Sequence, residues 1–247
     1  MQDRYAGDVG DFGKFGMLRC LEKSGLSVGV NWYLVGDESH NNDGKHIGYI
    51  TDKKFVGCDD ALLELLGTLV ERGGRAVSRI EELKLLSTDK YYHERLREPN
   101  EKAFTRDMWH KKALNTLEEN ELVFLDPDNG IIPKSVGRNS IKSVKYVLPE
   151  EIVDYYDAGH SVVFYSHRTR EKIDTYLNRF YNLFEELHSR GAGINGIAFK
   201  RGTIRDYFFI MQEEHCMRIE EGIENLLLSP WNKHFELLPV KGMLDKK

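Results

Sequence analysis

Asp126-Pro127-Asp128-Asn129-Gly130 stands directly after the apolar run Val123-Phe124-Leu125. Two carboxylates and an amide at the end of a strand make a compact mount for chemistry. Pro127 fixes one backbone angle and removes an N–H donor, and Gly130 permits a sharp exit. Asp126 or Asp128 can there position water or stabilise developing positive charge. Asn129 can read the edge of a base with both its donor and its acceptor. The composition also suits an ordinary turn. Its place behind a core strand favours chemistry, because ligands of open α/β sheets bind beyond the carboxyl ends of strands.

Further clusters carry candidate residues. The loop from Gly36 to His46 contains Asp37, Glu38, His40, Asn41, Asn42, Asp43, Lys45 and His46. Carboxylate, imidazole and amide oxygen are all metal ligands, but the EF-hand pattern is not met. No metal is expected, and polar recognition of a base or a sugar is the alternative to a solvated loop. In the segment 4–18, Gly7, Gly10, Gly13 and Gly16 recur at every third position. That spacing weakens a helix and suggests close backbone approach, to a ligand or to the sheet. If helical, it turns Asp8, Asp11 and Lys14 to one side. His167 and Arg168 follow the apolar run ending in Ser166; the histidine can donate to a departing base and the arginine can hold a phosphate. Lys142, Lys145 and Tyr146, with Arg201 and Arg205 at a hairpin tip, are candidates for contacting a nucleic-acid backbone. Trp231 reads as a packing anchor.

The elements that must position these residues alternate. Strands are expected at 28–35, 121–125, 161–167, 194–200 and 205–212. Helices are expected at 12–24, 59–73, 78–87, 149–158, 169–190 and 214–228, with a further helical stretch at 89–119. The alternation predicts an α/β fold: a three-layer sandwich with a mostly parallel central sheet and a C-terminal antiparallel hairpin. A length of 247 residues suits a single catalytic domain over 1–247, with a helical insertion around 56–119.

A net charge of -5 argues against non-specific coating of nucleic acid while leaving room for a local basic cleft. No apolar run reaches membrane-spanning length. The N-terminal residues lack a signal-peptide core. Cys20, Cys58 and Cys216 form no CxxC pair, so a disulfide framework is not expected and a cytoplasmic location fits.

Two family resemblances bear on function. Ala6-Gly7-Asp8 with Asp11 and Lys14 resembles the opening of the RlmJ-like 23S rRNA adenine-N6 methyltransferases, a class I methyltransferase family. Asp126-Pro127 resembles the start of their D-P-P-Y motif, and the order of elements is similar. That resemblance implies S-adenosylmethionine as cofactor. However, the loop after the first strand reads GDESHNNDG where a glycine-rich donor cradle belongs, and Asp128-Asn129 replace the proline and aromatic of the motif. The stretch 126–130 also resembles the D-P-Y-H-G loop of the uracil-DNA glycosylase superfamily, and His167 is similar to its later histidine. That resemblance implies DNA as partner, no cofactor, and hydrolysis of a base–sugar bond with Asp126, Asp128, Asn129 and His167 as catalytic residues.

Both resemblances concern a nucleobase held outside its stack. The missing donor cradle favours hydrolysis. The expectation is a DNA glycosylase that excises a flipped, modified base, glucosylated bases included, in the manner of antiphage glycosylases. The alternatives are an S-adenosylmethionine-dependent methyltransferase, a non-catalytic module derived from one, and a nuclease in which Asp37, Asp43 and Asp126 hold Mg²⁺.

Overall fold

The computed structural model describes residues 1–38, 44–88, 90–96 and 105–244. Helix α1 spans Val9–Lys23 and opens with Asp8 as its N-cap, whose carboxylate accepts from the N–H groups of Gly10 and Asp11. Strand β1 (Val28–Asn31) follows. Then come α2 (Asp60–Arg72), α3 (Val77–Glu82), β2 (Tyr91–Tyr92) and α4 (Arg106–Thr116). Strand β3 (Leu122–Leu125) carries the 126–130 turn, which leads into a short β4 (Gly130–Ile131). The rest of the chain is β5 (Tyr146–Val147), α5 (Pro149–Asp157), β6 (Ser161–His167), α6 (Ile173–Leu177), α7 (Tyr181–Ser189), β7 (Gly193–Arg201), β8 (Thr203–Met211), α8 (Glu213–Leu228), β9 (Phe235–Leu237) and α9 (Lys241–Leu244).

The main sheet has seven strands in the order β2-β1-β3-β6-β8-β7-β9. β2, β1, β3 and β6 run parallel to one another, and β8 enters antiparallel between β6 and β7. Because successive side chains of a strand point to opposite faces, the sheet builds two cores. Val30, Phe124, Val163, Tyr207 and Phe209 pack under α1, α2 and α8. Val123, Leu125, Val162, Phe164 and Phe208 pack under α4, α5, α6 and α7. The result is the expected three-layer α/β sandwich with a largely parallel sheet and a C-terminal antiparallel hairpin.

Several boundaries differ from the sequence expectation for identifiable reasons. β1 ends at Asn31 rather than at 35, because the Asn31 side chain accepts from the Tyr33 N–H and turns the chain, with Tyr33 at φ 44°. Within the stretch read as helical at 89–119, Tyr91 and Tyr92 instead pair with Val30 and Asn31 as an edge strand. The helix expected over 169–190 is broken into α6 and α7. The break seats the Phe180 ring 4.4 Å from Phe208, with Tyr176 and Phe184 beside it. The tail contains β9, which pairs with β7. The Gly/Pro/Lys stretch at 130–140 reads as a loop; its first residues, Gly130 and Ile131, form β4 and pair in parallel with β5.

The regular glycines explain how α1 sits so near the sheet. A side-chain carbon at Gly13 would lie 2.8 Å from the Phe199 ring, and one at Gly10 or Gly16 would collide with Arg205 or Trp231. Trp231 is buried against Phe12, so it is the packing anchor that the sequence indicates.

Candidate active site

The carboxyl edge of the sheet encloses a cavity of about 360 Å³ between α1, the 126–129 turn, the end of β6 and the start of β8. It is lined by Asp8, Asp11 and Lys14 from α1 and its cap, by Asp126 to Asn129, by Tyr165 and His167, and by Thr203, Arg205 and Tyr207. Met1, Tyr5, Gly44 and His46 complete the wall. Three clusters that are far apart in sequence therefore meet.

At its floor, Lys14 Nζ donates to Asp11 Oδ1 at 2.6 Å and to Asp126 Oδ2 at 2.7 Å. Asp11 Oδ2 in turn accepts from the Gly7 N–H at 2.7 Å. Arg205 Nη2 reaches Asp8 Oδ2 at 3.2 Å and donates through Nη1 to the Arg201 and Thr203 carbonyls. Three buried carboxylates thus face two cations. Burial raises the pKa of Asp126, against the opposing pull of Lys14, and burial likewise raises Asp8 against Arg205. Burial works against the Lys14 charge, but Asp11 and Asp126 outweigh it and hold the ammonium well above its usual value. A buried carboxylate with a raised pKa, fixed by a lysine and open to a cavity, suits general acid–base work or stabilisation of a cationic transition state.

Asp128 has a different setting. Its Oδ1 lies 2.8 Å from the Met1 amino nitrogen, and its Oδ2 accepts from Gln2 Nε2 at 2.6 Å. Burial raises its pKa, but the Met1 charge, the two hydrogen bonds and Lys145 together bring it below the ordinary carboxylate value. The Met1 nitrogen also donates to the Tyr33 and Asp126 carbonyls. The Met1 nitrogen thus bridges the backbone just beyond β1 and just beyond β3, the switch point at which the strand order reverses.

On the opposite wall Tyr165, His167, Tyr207 and Arg205 form a two-by-two patch. Tyr165 pairs across the strands with Tyr207, and His167 pairs with Arg205. Tyr165 Oη lies 3.2 Å from His167 Nδ1. Asn129 is pinned by its backbone, which donates to the Lys145 carbonyl and accepts from the His167 N–H. Asn129 and His167 also border a second cleft of about 1150 Å³ on the other face of the sheet, lined by Tyr146, Ile131, Tyr176 and Leu183 among others.

The remaining candidates lie elsewhere. Asp37 accepts from the Arg4 N–H. Glu38 binds Gln2, Arg4 and Lys145, so both acids tie the 36–38 segment to residues 2–4 rather than lining the cavity. Lys45 is exposed beside His46. His40, Asn41, Asn42 and Asp43 lie outside the described residues. Arg168 makes a bidentate pair with the fully buried Asp206, at 2.6 and 2.9 Å. Arg201 donates to the carbonyls of Lys200 and Lys233. Lys142 is exposed, and the Tyr146 carbonyl accepts from Arg106. Among the described residues no cluster of histidine, cysteine and carboxylate has the arrangement of a metal site. No described helix is long and apolar enough to cross a membrane.

Sequence reasoning missed Tyr5, Tyr165, Thr203 and Tyr207. Tyr165 was within reach, since a strand residue two positions before His167 shares its face. Tyr207 required the register of β6 against β8.

No family model and no curated protein matches this chain. Among solved structures, a crystal structure of the Legionella pneumophila protein LPL1258, assigned to the family DUF519, is similar at 13% identity with a TM-score of 0.47, covering 94% of this chain and 97% of that one. The strand order and the cavity by themselves define a doubly wound α/β protein with an acidic, lysine-braced pocket at the carboxyl edge of its sheet.

Proposed function

We propose that this protein is a base-acting hydrolase, a DNA glycosylase that excises a modified base extruded from the stack. The observation that carries the reading is the position of Asp126. Its carboxylate is buried at the floor of a cavity whose volume suits a small ligand, braced by Lys14 and faced by Tyr165, Tyr207 and His167. In the reaction the bond from the sugar C1′ to the base nitrogen breaks, and its electron pair leaves on the base. Asp126 stabilises the oxocarbenium character at C1′ and takes the proton of the water whose oxygen bonds there. The departing base is met by His167 and by Asn129, and Arg205 supplies positive charge at the wall.

The test incubates the protein with DNA and RNA carrying natural and modified bases, glucosylated cytosine among them, and follows products by mass spectrometry. Free base with an abasic site is expected. Intact substrate throughout the panel overturns the proposal.

The second reading is an S-adenosylmethionine-dependent methyltransferase. It is favoured by the strand order β2-β1-β3-β6-β8-β7 with β8 antiparallel, which is similar to the class I methyltransferase order of elements. Calorimetric titration with S-adenosylmethionine decides it: saturable donor binding, with methyl transfer to a nucleoside, would replace the glycosylase reading.

A further inference from the structure

We infer that Tyr207 is a further catalytic residue: its hydroxyl is reserved for a ligand of the acidic cavity and donates a hydrogen bond to the base as that base departs. The reserved hydroxyl is a property of the protein alone. Its use on a departing base rests on the hydrolase reading.

Most of the polar side chains around the cavity are spent on one another. Asp11 and Asp126 share Lys14. Asp8 caps α1 through the Gly10 and Asp11 N–H groups and meets Arg205. Arg205 donates its remaining bonds to the Arg201 and Thr203 carbonyls. Tyr207 differs. It is fully buried and lines the cavity, and its hydroxyl has no hydrogen-bond partner among the described residues. Folded chains leave few buried hydroxyls unpaired, because the lost bond to water is costly. A hydroxyl so placed is completed by what enters the cavity.

The fold holds that hydroxyl in one place. Arg205 and Tyr207 are two positions apart on β8 and leave the same face of the sheet, towards α1, while Asp206 and Phe208 leave the other. The Tyr207 ring is packed by Phe124, Tyr165 and Phe235, with centroids 6.1, 6.2 and 6.4 Å away. A donor fixed in this way needs no reorganisation when charge develops opposite it. Burial raises its pKa, Arg205 opposes that rise, and Asp126, Asp11 and Asp8 add to it, so the phenol keeps its proton.

The chemistry follows from the charge that each group meets. As the bond from C1′ to the base nitrogen breaks, its electron pair spreads over the base. Part of it reaches the acceptor nearest the broken bond, the O2 of a pyrimidine or the N3 of a purine. That atom lies beside C1′, so it faces the same part of the site as the carboxylate that serves C1′. Asp126 and Tyr207 line one cavity and act on opposite charges. The carboxylate meets the positive sugar, and the neutral O–H meets the negative base. Tyr207 transfers nothing. Its hydrogen bond strengthens as the base becomes an anion, so it stabilises the transition state more than the bound substrate.

Tyr207→Phe removes one oxygen and keeps the ring. In the full-length protein it is expected to leave the amide fingerprint unchanged and Tm unchanged or raised, because no protein partner is lost. On DNA from which the wild type releases base, kcat should fall about 10²-fold with KM little changed, as for the loss of one oxyanion-hole donor. An electron-withdrawing substituent on the released base makes it a better leaving group and should narrow the gap between the two proteins. A lowered Tm shows that the hydroxyl is spent within the fold and overturns the proposal. Undiminished kcat in the variant, or a gap independent of the leaving group, also overturns it and leaves the hydrolase reading standing. Absence of base release from the wild type refutes the hydrolase reading instead. The reserved hydroxyl is then decided by calorimetric titration of both proteins with free cytosine and free guanine. Binding about 10-fold weaker in Tyr207→Phe upholds it as a ligand contact. Equal binding, or none to the wild type, overturns it.

Discussion

Lys14 Nζ lies 2.7 Å from Asp126 Oδ2, joining residues 112 positions apart in a site where both side chains are under 10% exposed. The contact links helix α1, from the glycine-spaced segment 4–18, to the 126–130 turn. It also opposes the upward push that burial gives the Asp126 pKa. Removing the carboxylate and removing the lysine therefore have different consequences.

Asp126→Asn keeps the shape of the turn and removes the base. Base release should fall by about 10²–10⁴-fold with little change in the folded spectrum. Lys14→Met leaves Asp11 and Asp126 buried without their shared cation and should cost about 3–5 kcal/mol of stability. Urea unfolding of the two variants, beside their activities, checks both. Full activity in a folded Asp126→Asn protein would sink the proposed role.

Lys14 is held protonated between two carboxylates, so it is a poor nucleophile for Schiff-base formation at an abasic sugar. The product should be an intact abasic site without strand scission, and borohydride should trap no covalent complex. A trapped adduct lost in Lys14→Met would show the opposite.

Arg168 is committed to Asp206, which is fully buried. Arg168→Ala should destabilise the protein by about 3–5 kcal/mol. The salt dependence of DNA binding should stay unchanged, since that slope counts cations placed on phosphates. Chemical denaturation and binding at several salt concentrations separate the two roles.

Gly13 is a packing requirement. A methyl group at Gly13→Ala would press on the Phe199 ring at 2.8 Å and should cost about 1–3 kcal/mol. Differential scanning calorimetry should show a lowered Tm. An unchanged Tm would mean that Phe199 yields freely.

Two buried histidines set the acid limit of stability. Burial, as the leading cause, lowers the pKa of both His215, beside Ser161, and His234, beside Phe55, from the ordinary imidazole value of about 6.5. The unfolded chain then binds more protons than the folded one between the lowered values and 6.5. Stability is therefore undiminished above about pH 6.5 and falls as the pH drops through and below it. His215→Gln and His234→Gln should flatten that fall, as read from urea midpoints between about pH 7 and pH 5.

The local patterns in the sequence were enough to specify much of the frame. Alternation of apolar runs with amphipathic stretches specifies the α/β layers, because side-chain period is a property of each element alone. A strand followed by Asp-Pro-Asp-Asn-Gly marks a loaded strand end for the same local reason. The spacing of Gly7, Gly10, Gly13 and Gly16 announces a close approach, though not what approaches. The tertiary structure decided the rest. Asp128 and Asp126 are two positions apart and chemically alike, yet one meets Met1 and Gln2 while the other meets Lys14 and the cavity. Arg168 and Arg205 look interchangeable as phosphate ligands, yet one turns to buried Asp206 and the other to Asp8. Which carboxylate faces a lysine and which face of β8 an arginine leaves from depend on strand register and helix placement. Those are settled only when distant segments pack, since a shift of one residue in a strand sends every side chain to the other face.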